Sequence, residues 1–198
     1  LLFQGQESGS PAPFVYFAHH EGQLARDVAR GRREFLSQFA PSAAADAASR
    51  QTDPAARATF EACRMGDDSG ERAQRIWRLH ADLLRLRRED ATIALQGSRG
   101  FDGATLDERG LTVRFFGPRH DDRLLIVNLG DELDLVSRAE PLIAPPAGSS
   151  WALLWSSEAA AYGGSGTPVW TEDRWIVPRQ AALLLGPVAA SHPQSPPG

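Results

Sequence analysis

The spacing of the apolar residues changes once along this chain, and that change limits the fold more than any other feature of the sequence. Up to about residue 92 the apolar residues recur at helical spacing, and beyond it they alternate or form short continuous runs. A run of helices followed by a run of strands is typical of an α+β chain built from two structural units. We therefore predict a first part over residues 1–92 and an all-β domain over residues 93–188.

Three helices are predicted in the first part, over approximately residues 21–39, 53–63 and 68–89. The first is predicted to continue across Gly31. The second opens with Asp53-Pro54, because aspartate is a good N-cap and proline suits the first helical turn. The third has the clearest amphipathic pattern, with an apolar stripe at Ile76, Leu79, Leu83 and Leu86.

Short apolar segments predict the strands of the second part. They lie at residues 111–115, 124–129, 151–155 and 175–177. Clusters of glycine, proline and aspartate separate them, as turns do, and we expect an antiparallel sandwich. From Pro187 onward the sequence is rich in proline and serine, and we predict a disordered tail over residues 189–198.

The first residues, Leu1-Leu2-Phe3, form an apolar run that predicts the end of a buried strand. Turn formers fill residues 4–11, as expected for a loop at the carboxyl end of a strand. Because a chain seldom starts inside its own core, we expect this strand to belong to a larger structure. A complete (β/α)8 barrel needs about 250 residues, so any barrel in this chain of 198 residues is incomplete.

Charge and composition exclude several classes of protein. The net charge is −4 and the calculated isoelectric point is about 5.7, without the basic patch of a nucleic-acid-binding protein. No apolar run approaches the roughly 20 residues of a membrane span. The single cysteine, Cys63, cannot form an internal disulfide, and no signal peptide opens the chain. We therefore expect a cytoplasmic protein with a buried, unreactive Cys63.

Neighbouring carboxylates are the first candidates for chemistry, because hydrolysis of glycosidic bonds usually uses two carboxyl groups. The candidate pairs are Asp67/Asp68, Asp107/Glu108 and Asp121/Asp122. Each pair lies in polar sequence typical of turns, so we interpret all three as solvated surface.

Glu7 differs from these pairs in its position. If the first three residues end a barrel strand, Glu7 and its neighbour Gln6 lie on the face where barrel active sites form. A loop carboxylate that only fixes the backbone is an equally weighted alternative. The adjacent His19 and His20 lack the spacing of helical zinc ligands, which favours an imidazole that contacts sugar or packs over one that holds a metal.

Aromatic residues could stack on sugar rings or fill a core. Phe14, Tyr16 and Phe17 form one cluster, for which we favour packing. Apolar neighbours also favour interior packing for the tryptophans of the second part, namely Trp151, Trp155, Trp170 and Trp175.

Five segments of the first part, taken together in their order along the chain, point to one protein family. They are residues 1–7 (LLFQGQE), 13–17 (PFVYF), 31–35 (GRREF), 53–54 (DP) with 59–60 (TF), and 80–87 (HADLLRLR). In this order they resemble the malto-oligosyltrehalose trehalohydrolases of the α-amylase clan. The resemblance covers residues 1 to about 90, and residues 124–129 (LLIVNL) and 175–179 (WIVPR) resemble the β domain that ends these enzymes.

The resemblance implies a fold and a reaction. The chain would hold the last strand and helices of a (β/α)8 TIM barrel, followed by a C-terminal antiparallel β-sandwich domain. The parent enzyme would cleave the α-1,4 bond next to the terminal trehalose of maltooligosyltrehalose, with no metal or organic cofactor. Its partner would be this α-glucan substrate, with no nucleic acid and no membrane.

The resemblance also places the site residues. The family's nucleophile, general acid and supporting aspartate lie on earlier strands, upstream of the part that matches Leu1, so the isolated chain is expected to be inactive. Where the family usually shows Gly-Glu-Glu, this chain has Gly5-Gln6-Glu7, and only Glu7 carries over cleanly. Where it usually shows Asp-His, this chain has His19-His20, and His20 is the matched residue. Glu7, Gln6 and His20 are the predicted substrate contacts.

Two alternatives remain at this stage. One is the C-terminal part of a glucan branching or debranching enzyme, against which the residues 31–35 (GRREF) argue. The other is a non-catalytic carbohydrate-binding or structural β module. Exposed, coplanar tryptophans in the β domain would favour sugar binding, and buried ones would favour a structural role.

Overall fold

The computed structural model describes residues 2–38, 52–66, 69–95, 100–135, 139–166 and 175–190. The chain divides into two compact units, Leu1–Gln74 and Arg75–Gly198. The change from helices to strands falls between residues 94 and 101, close to the sequence-based boundary at 92/93. That a barrel ends and a β domain begins at this boundary stays a prediction.

The first unit holds turns and helices. Helix α1 (Gly22–Ser37) is continuous through Gly31, as predicted. Helix α2 (Arg57–Ala62) starts later than expected, because Asp53 caps a turn before it: the Asp53 carboxylate accepts the backbone N–H of Ala55 at 3.0 Å. The Thr59 hydroxyl then donates to the Asp53 carbonyl at 2.6 Å, which ties this turn to the helix.

Leu2 and Phe3 are not part of a strand. For these two described residues, the prediction of a buried strand over residues 1–3 is wrong. Their side chains are 53% and 62% exposed. A parallel strand needs a neighbour for its backbone groups, and every ladder among the described residues lies between residues 101 and 189. Residues 4–9 form turns, as predicted.

Helix α3 (Glu71–Glu89) continues from the first unit into the second and ends at the predicted residue. A single turn of helix, α4 (Ala91–Ala94), follows it. Asp90 separates the two and caps α4, because its carboxylate accepts the N–H groups of Thr92 and Ile93, both at 3.0 Å. A cap of this kind satisfies backbone donors that have no partner inside the helix.

The second unit is built on antiparallel strands. They are β1 (Phe101–Thr105), β2 (Gly110–Phe115), β3 (Arg123–Asn128), β4 (Leu133–Asp134), β5 (Ser149–Ser156), β6 (Ile176–Val177) and β7 (Ala182–Ala189). Five of them form one sheet in the order β1-β2-β3-β7-β5, and β4 pairs with β6 in a second sheet of two strands. The antiparallel strands are confirmed, whereas the two full layers of a sandwich stay a prediction.

Strand β7 lies between β3 and β5 in the large sheet, and the sequence pattern missed it, as it missed β1 and β4. It pairs with β3 up to Leu185, opposite Leu124, and with β5 along its whole length. Pro187, where the proline-rich sequence begins, lies opposite Trp151 of β5. Proline is tolerated there because β3 no longer pairs at that point and one side of the strand is open. The tail predicted over residues 189–198 begins slightly too early, because β7 extends to Ala189, and residues 191–198 lie outside the described residues.

The core of the second unit lies on one face of the large sheet. Alternate residues of β3 point into it, so Leu124 and Ile126 are fully buried, with Leu183 and Leu185 beside them on β7. Trp151 closes the core, and its indole N–H donates to the carbonyl of Ile143 at 2.7 Å. Buried side chains of this size are the main favourable contribution to folding.

None of the described helices is both long and apolar enough to cross a membrane.

Candidate functional site

The predicted contacts Gln6 and Glu7 lie on one tight turn. Gly5 opens the turn with φ of 81°, a conformation that favours glycine, and a side chain there would meet Ser10 Cβ at 2.8 Å. The Gln6 side chain is exposed, and its carbonyl oxygen accepts the N–H of Phe3 at 3.1 Å. Glu7 is half-buried. The turn therefore presents the Glu7 carboxylate on a fixed backbone.

His20 lies directly before α1 and is half-buried. Its backbone N–H donates to the carbonyl of Ala18 at 3.1 Å. Within the described residues, no hydrogen bond or ion pair joins His20 to Gln6 or Glu7. Their role in binding substrate stays a prediction.

The carboxylate pairs do not form a catalytic site among the described residues. Asp107 and Glu108 are exposed, as predicted. Asp122 is not: it is 4% exposed, and it accepts hydrogen bonds from two nitrogens of Arg114, at 3.0 and 2.7 Å. The pair Asp67/Asp68 lies outside the described residues.

Asp122 was expected at the surface because aspartate pairs are typical of turns, and the correction has a clear physical reason. Its second oxygen accepts the N–H of Gly117 at 2.9 Å, so all of its charge is compensated inside the fold. Asp121 is exposed, and hydrogen bonds from Arg123 lower the pKa of its carboxyl group. Arg123 also bonds Asp90 at 2.7 Å, which makes these acids part of structural ion pairs.

An aromatic groove lies in the first unit beside the predicted contact His20. It has a volume of about 490 Å³ and is lined by residues 17–19, by residues 54–57 and by Phe60. The rings of Phe17 and Phe60 meet edge to face at 5.2 Å, and they are 41% and 49% exposed. The cluster of Phe14, Tyr16 and Phe17 is thus exposed, which contradicts the expected packing.

Charged side chains form the rim of this aromatic groove. Arg57 donates through Nε to a carboxylate oxygen of Glu61 at 2.7 Å, and both side chains are exposed. On the other side, His19 Nε2 lies 3.8 Å from the carboxylate of Glu21. The sequence pattern did not single out Arg57 or Phe60 as site residues, because they fall on a helix whose apolar pattern is too short to show a face.

The tryptophans of the large sheet are structural. Trp151 is buried beneath Arg114, whose guanidinium lies 5.4 Å from its ring centroid. The indole N–H of Trp155 donates to the hydroxyl of Tyr162 at 3.2 Å, and Trp175 packs against the core. Interior packing is therefore confirmed for Trp151 and Trp175, whereas Trp155 is half-buried and lines a pocket. Trp170 lies outside the described residues.

Tyr162 connects the sheet to α3 within the second unit. Its hydroxyl donates to the carboxylate of Asp82 at 2.8 Å. Burial, followed by the hydrogen bond to Asp82, raises the pKa of the Tyr162 phenol. Asp82 also pairs with Arg85 at 2.9 Å on the next turn of the helix.

Histidine, cysteine and acidic residues form no group of three or more that could hold a metal within the described parts of the chain. Cys63 is buried, and its thiol lies 3.8 Å from the carbonyl of Val15. It is a packed thiol, as predicted.

Known proteins are similar to large parts of this chain. A family model described as a domain of unknown function (DUF3459) matches residues 98–184. Malto-oligosyltrehalose trehalohydrolase from Deinococcus radiodurans is 33% identical over 153 residues, which cover 73% of this chain and 24% of that protein. The enzyme of the same name from Mycobacterium tuberculosis is 35% identical over 98 residues, covering 48% of this chain and 16% of the relative.

Among solved structures, trehalose-6-phosphate hydrolase from Bacillus licheniformis superposes with a TM-score of 0.52 at 15% identity, covering 93% of this chain and 35% of that one. This likeness shows that the fold is similar to part of an α-amylase-family glycoside hydrolase. The chain spans about a quarter of the length of the Deinococcus relative. The resemblance to the malto-oligosyltrehalose trehalohydrolases is confirmed, and the homologues of this chain are glycoside hydrolases.

Proposed function

Because its homologues are glycoside hydrolases, we propose that this chain is the C-terminal part of an enzyme that releases trehalose from maltooligosyltrehalose. The reaction is hydrolysis of the α-1,4-glucosidic bond next to the terminal trehalose. The chain completes the catalytic barrel with its first part and ends in a β domain that stabilises it. It works in the cytoplasm as part of trehalose biosynthesis.

One observation carries this proposal: the similarity to the Deinococcus enzyme extends over 153 residues at 33% identity. That length exceeds either compact unit, so the alignment includes parts of both. A β module shared by many unrelated enzymes would match in the second unit alone. The similarity therefore supports a common architecture for the two units together.

In this proposal the chain supplies substrate contacts rather than the reacting carboxylates. Glu7 and Gln6 lie on a turn held by Gly5, and His20 precedes α1. A carboxylate and an amide accept hydrogen bonds from sugar hydroxyls, and an imidazole can donate or accept. Asp122 and Asp121 are committed to Arg114 and Arg123, which makes them unsuitable as nucleophile or general acid.

The rival hypotheses are weakened by particular residues. A sugar-binding β module would present exposed tryptophans, and the three that the structure describes in the large sheet and its neighbourhood are buried or packed. A branching or debranching enzyme shares the architecture, but the relatives found by sequence are named for trehalose release.

A chimera tests the proposal. The matching C-terminal segment of the Deinococcus enzyme is replaced by this chain, and trehalose release from maltotriosyltrehalose is measured. We expect activity within about tenfold of the natural enzyme, because the contacts between the segments are expected to be similar. The control is the same junction with the natural segment restored. A chimera with native-like circular dichroism that binds substrate but releases no trehalose would argue against the proposed function.

A further inference from the structure

We propose that the aromatic groove between Phe17 and Phe60 is a binding subsite for an α-glucan chain. The inference rests on the proposed function and adds to it a place where the chain of the substrate is held. It is distinct from the predicted contacts on the turn at Gln6 and Glu7, since it is lined by other residues.

The floor of the groove has the chemistry that a sugar ring requires. One face of a glucose ring carries C–H groups, which pack on an aromatic ring, while its hydroxyls point outward. Phe17 and Phe60 expose about half of their surface each, and they fix each other edge to face at 5.2 Å. Fixed aromatic side chains provide a large contact area at little cost in conformational entropy.

The rim of the groove favours a neutral ligand over an ion. The charge of Arg57 is offset by Glu61, which it bonds at 2.7 Å, and the His19 imidazole lies 3.8 Å from Glu21. The rim therefore has little net charge to attract a phosphate or a second carboxylate. It does offer N–H donors and carboxylate acceptors on both sides, which is what the hydroxyls of a neutral polyol need.

The groove is also preorganised. The N–H of Ala18 donates to the carbonyl of Pro54 at 3.0 Å and joins the two segments that form its walls. The carbonyl of Asp53 accepts the hydroxyl of Thr59 at 2.6 Å and holds the turn that leads into α2. The volume of about 490 Å³ lies within the roughly 300–1,000 Å³ typical of small-molecule sites.

Binding of maltotetraose to the full chain, followed by saturation-transfer NMR and by titration, tests this proposal. We expect the substitution Phe60→Ala to weaken binding roughly tenfold, because a stacked ring is lost. Its matched control is Phe14→Ala, which removes another exposed phenylalanine in an edge-to-face pair, with Phe3 at 5.6 Å. That control should bind like the unmodified chain.

A second pair of variants covers the case in which Phe60→Ala fails to fold. Arg57→Gln removes an exposed charge on α2 and should weaken binding roughly threefold or more through lost hydrogen bonds. Its control, Arg30→Gln, removes the same kind of exposed ion pair on α1, to Asp27 at 2.6 Å, and should bind normally. Because the ligand is neutral, the affinity should not fall with added salt.

The outcomes separate this inference from the proposed function. Equal binding by Phe60→Ala, Arg57→Gln and their controls, or no binding of maltotetraose by the folded chain, would overturn the subsite while leaving trehalose release by the chimera untouched. Loss of binding in the groove variants alone would support the subsite even if the chimera released a product other than trehalose.

Discussion

Tyr162 is the residue whose ionisation reports most directly on the contact between α3 and the sheet of the second unit. Its hydroxyl donates to Asp82 and accepts from Trp155, and its pKa is raised by burial and by the Asp82 carboxylate. The neutral phenol is therefore favoured in the folded chain. Its contribution to stability is fully present below the unfolded pKa of about 10 and is lost as the pH rises through the higher folded pKa.

The chain has two tyrosines, so one substitution isolates this signal. In Tyr16→Phe, an ultraviolet titration of the folded protein should show a single phenol with a midpoint above about 10. Adding Asp82→Asn should move the midpoint downward, since the neighbouring negative charge is removed. A midpoint at the ordinary tyrosine value that does not respond to Asp82→Asn would contradict the hydrogen bond.

Asp122 is the residue whose loss should destabilise the second unit most among its acids. It is buried and holds Arg114 and the N–H of Gly117, so Asp122→Ala leaves a guanidinium without its partner. We expect a loss of about 3–5 kcal/mol in the free energy of unfolding by urea. Asp107→Ala, in an exposed turn, should cost less than about 1 kcal/mol. Equal effects would show that Asp122 is solvated.

The sequence could not distinguish these two acids. Both lie in polar sequence typical of turns, and each stands beside a second acid. What separates them is Arg114, which lies on β2, eight residues before Asp122 in the sequence. A pairing of this kind depends on the register of β2 against β3, which places Arg114 opposite Leu124 and beside the turn that ends at Asp122.

At the scale of elements, Asp90 joins a helix to a strand. One carboxylate oxygen caps α4 through the N–H groups of Thr92 and Ile93, and the other accepts from Arg123 of β3 at 2.7 Å. The Thr92 hydroxyl adds a hydrogen bond to the carbonyl of Asp121 at 2.7 Å. These contacts fix the point where the helices end and the sheet begins.

Two substitutions at Asp90 separate the cap from the ion pair. Asp90→Asn keeps an oxygen that can cap α4 but removes the charge that faces Arg123, whereas Asp90→Ala removes both. Because a cap contributes about 1 kcal/mol, Asp90→Ala should lower the free energy of unfolding by at least that much more than Asp90→Asn. The check is urea unfolding of both variants, and equal losses would show that the cap contributes nothing.

Helices and strands with a clear pattern of apolar residues could be predicted from the sequence. Those that depend on contacts with residues far away in the sequence could not. The apolar stripe of α3 and the alternation in β2 and β3 indicated their bounds within a few residues. Strand β7 was missed because Gly186 and Pro187 interrupt its apolar run, although its neighbours β3 and β5 stabilise it from both sides. A strand was expected over the first three residues, but the described residues Leu2 and Phe3 pair with no other strand.

At the scale of the whole molecule, the fold is similar to part of a trehalose-6-phosphate hydrolase, and the relatives found by sequence are named malto-oligosyltrehalose trehalohydrolases. This chain spans about a quarter of the length of the Deinococcus relative. The three predicted substrate contacts were found by resemblance, and the groove between Phe17 and Phe60 became visible only when residues far apart in sequence were placed together.

Trehalose release from maltotriosyltrehalose should be measured with the polypeptide encoded by the complete reading frame that contains this chain. The isolated 198 residues serve as the control. We expect the complete polypeptide to release free trehalose and the isolated chain to release none. Release of other sugars without trehalose, or turnover by the isolated chain, would contradict this expectation.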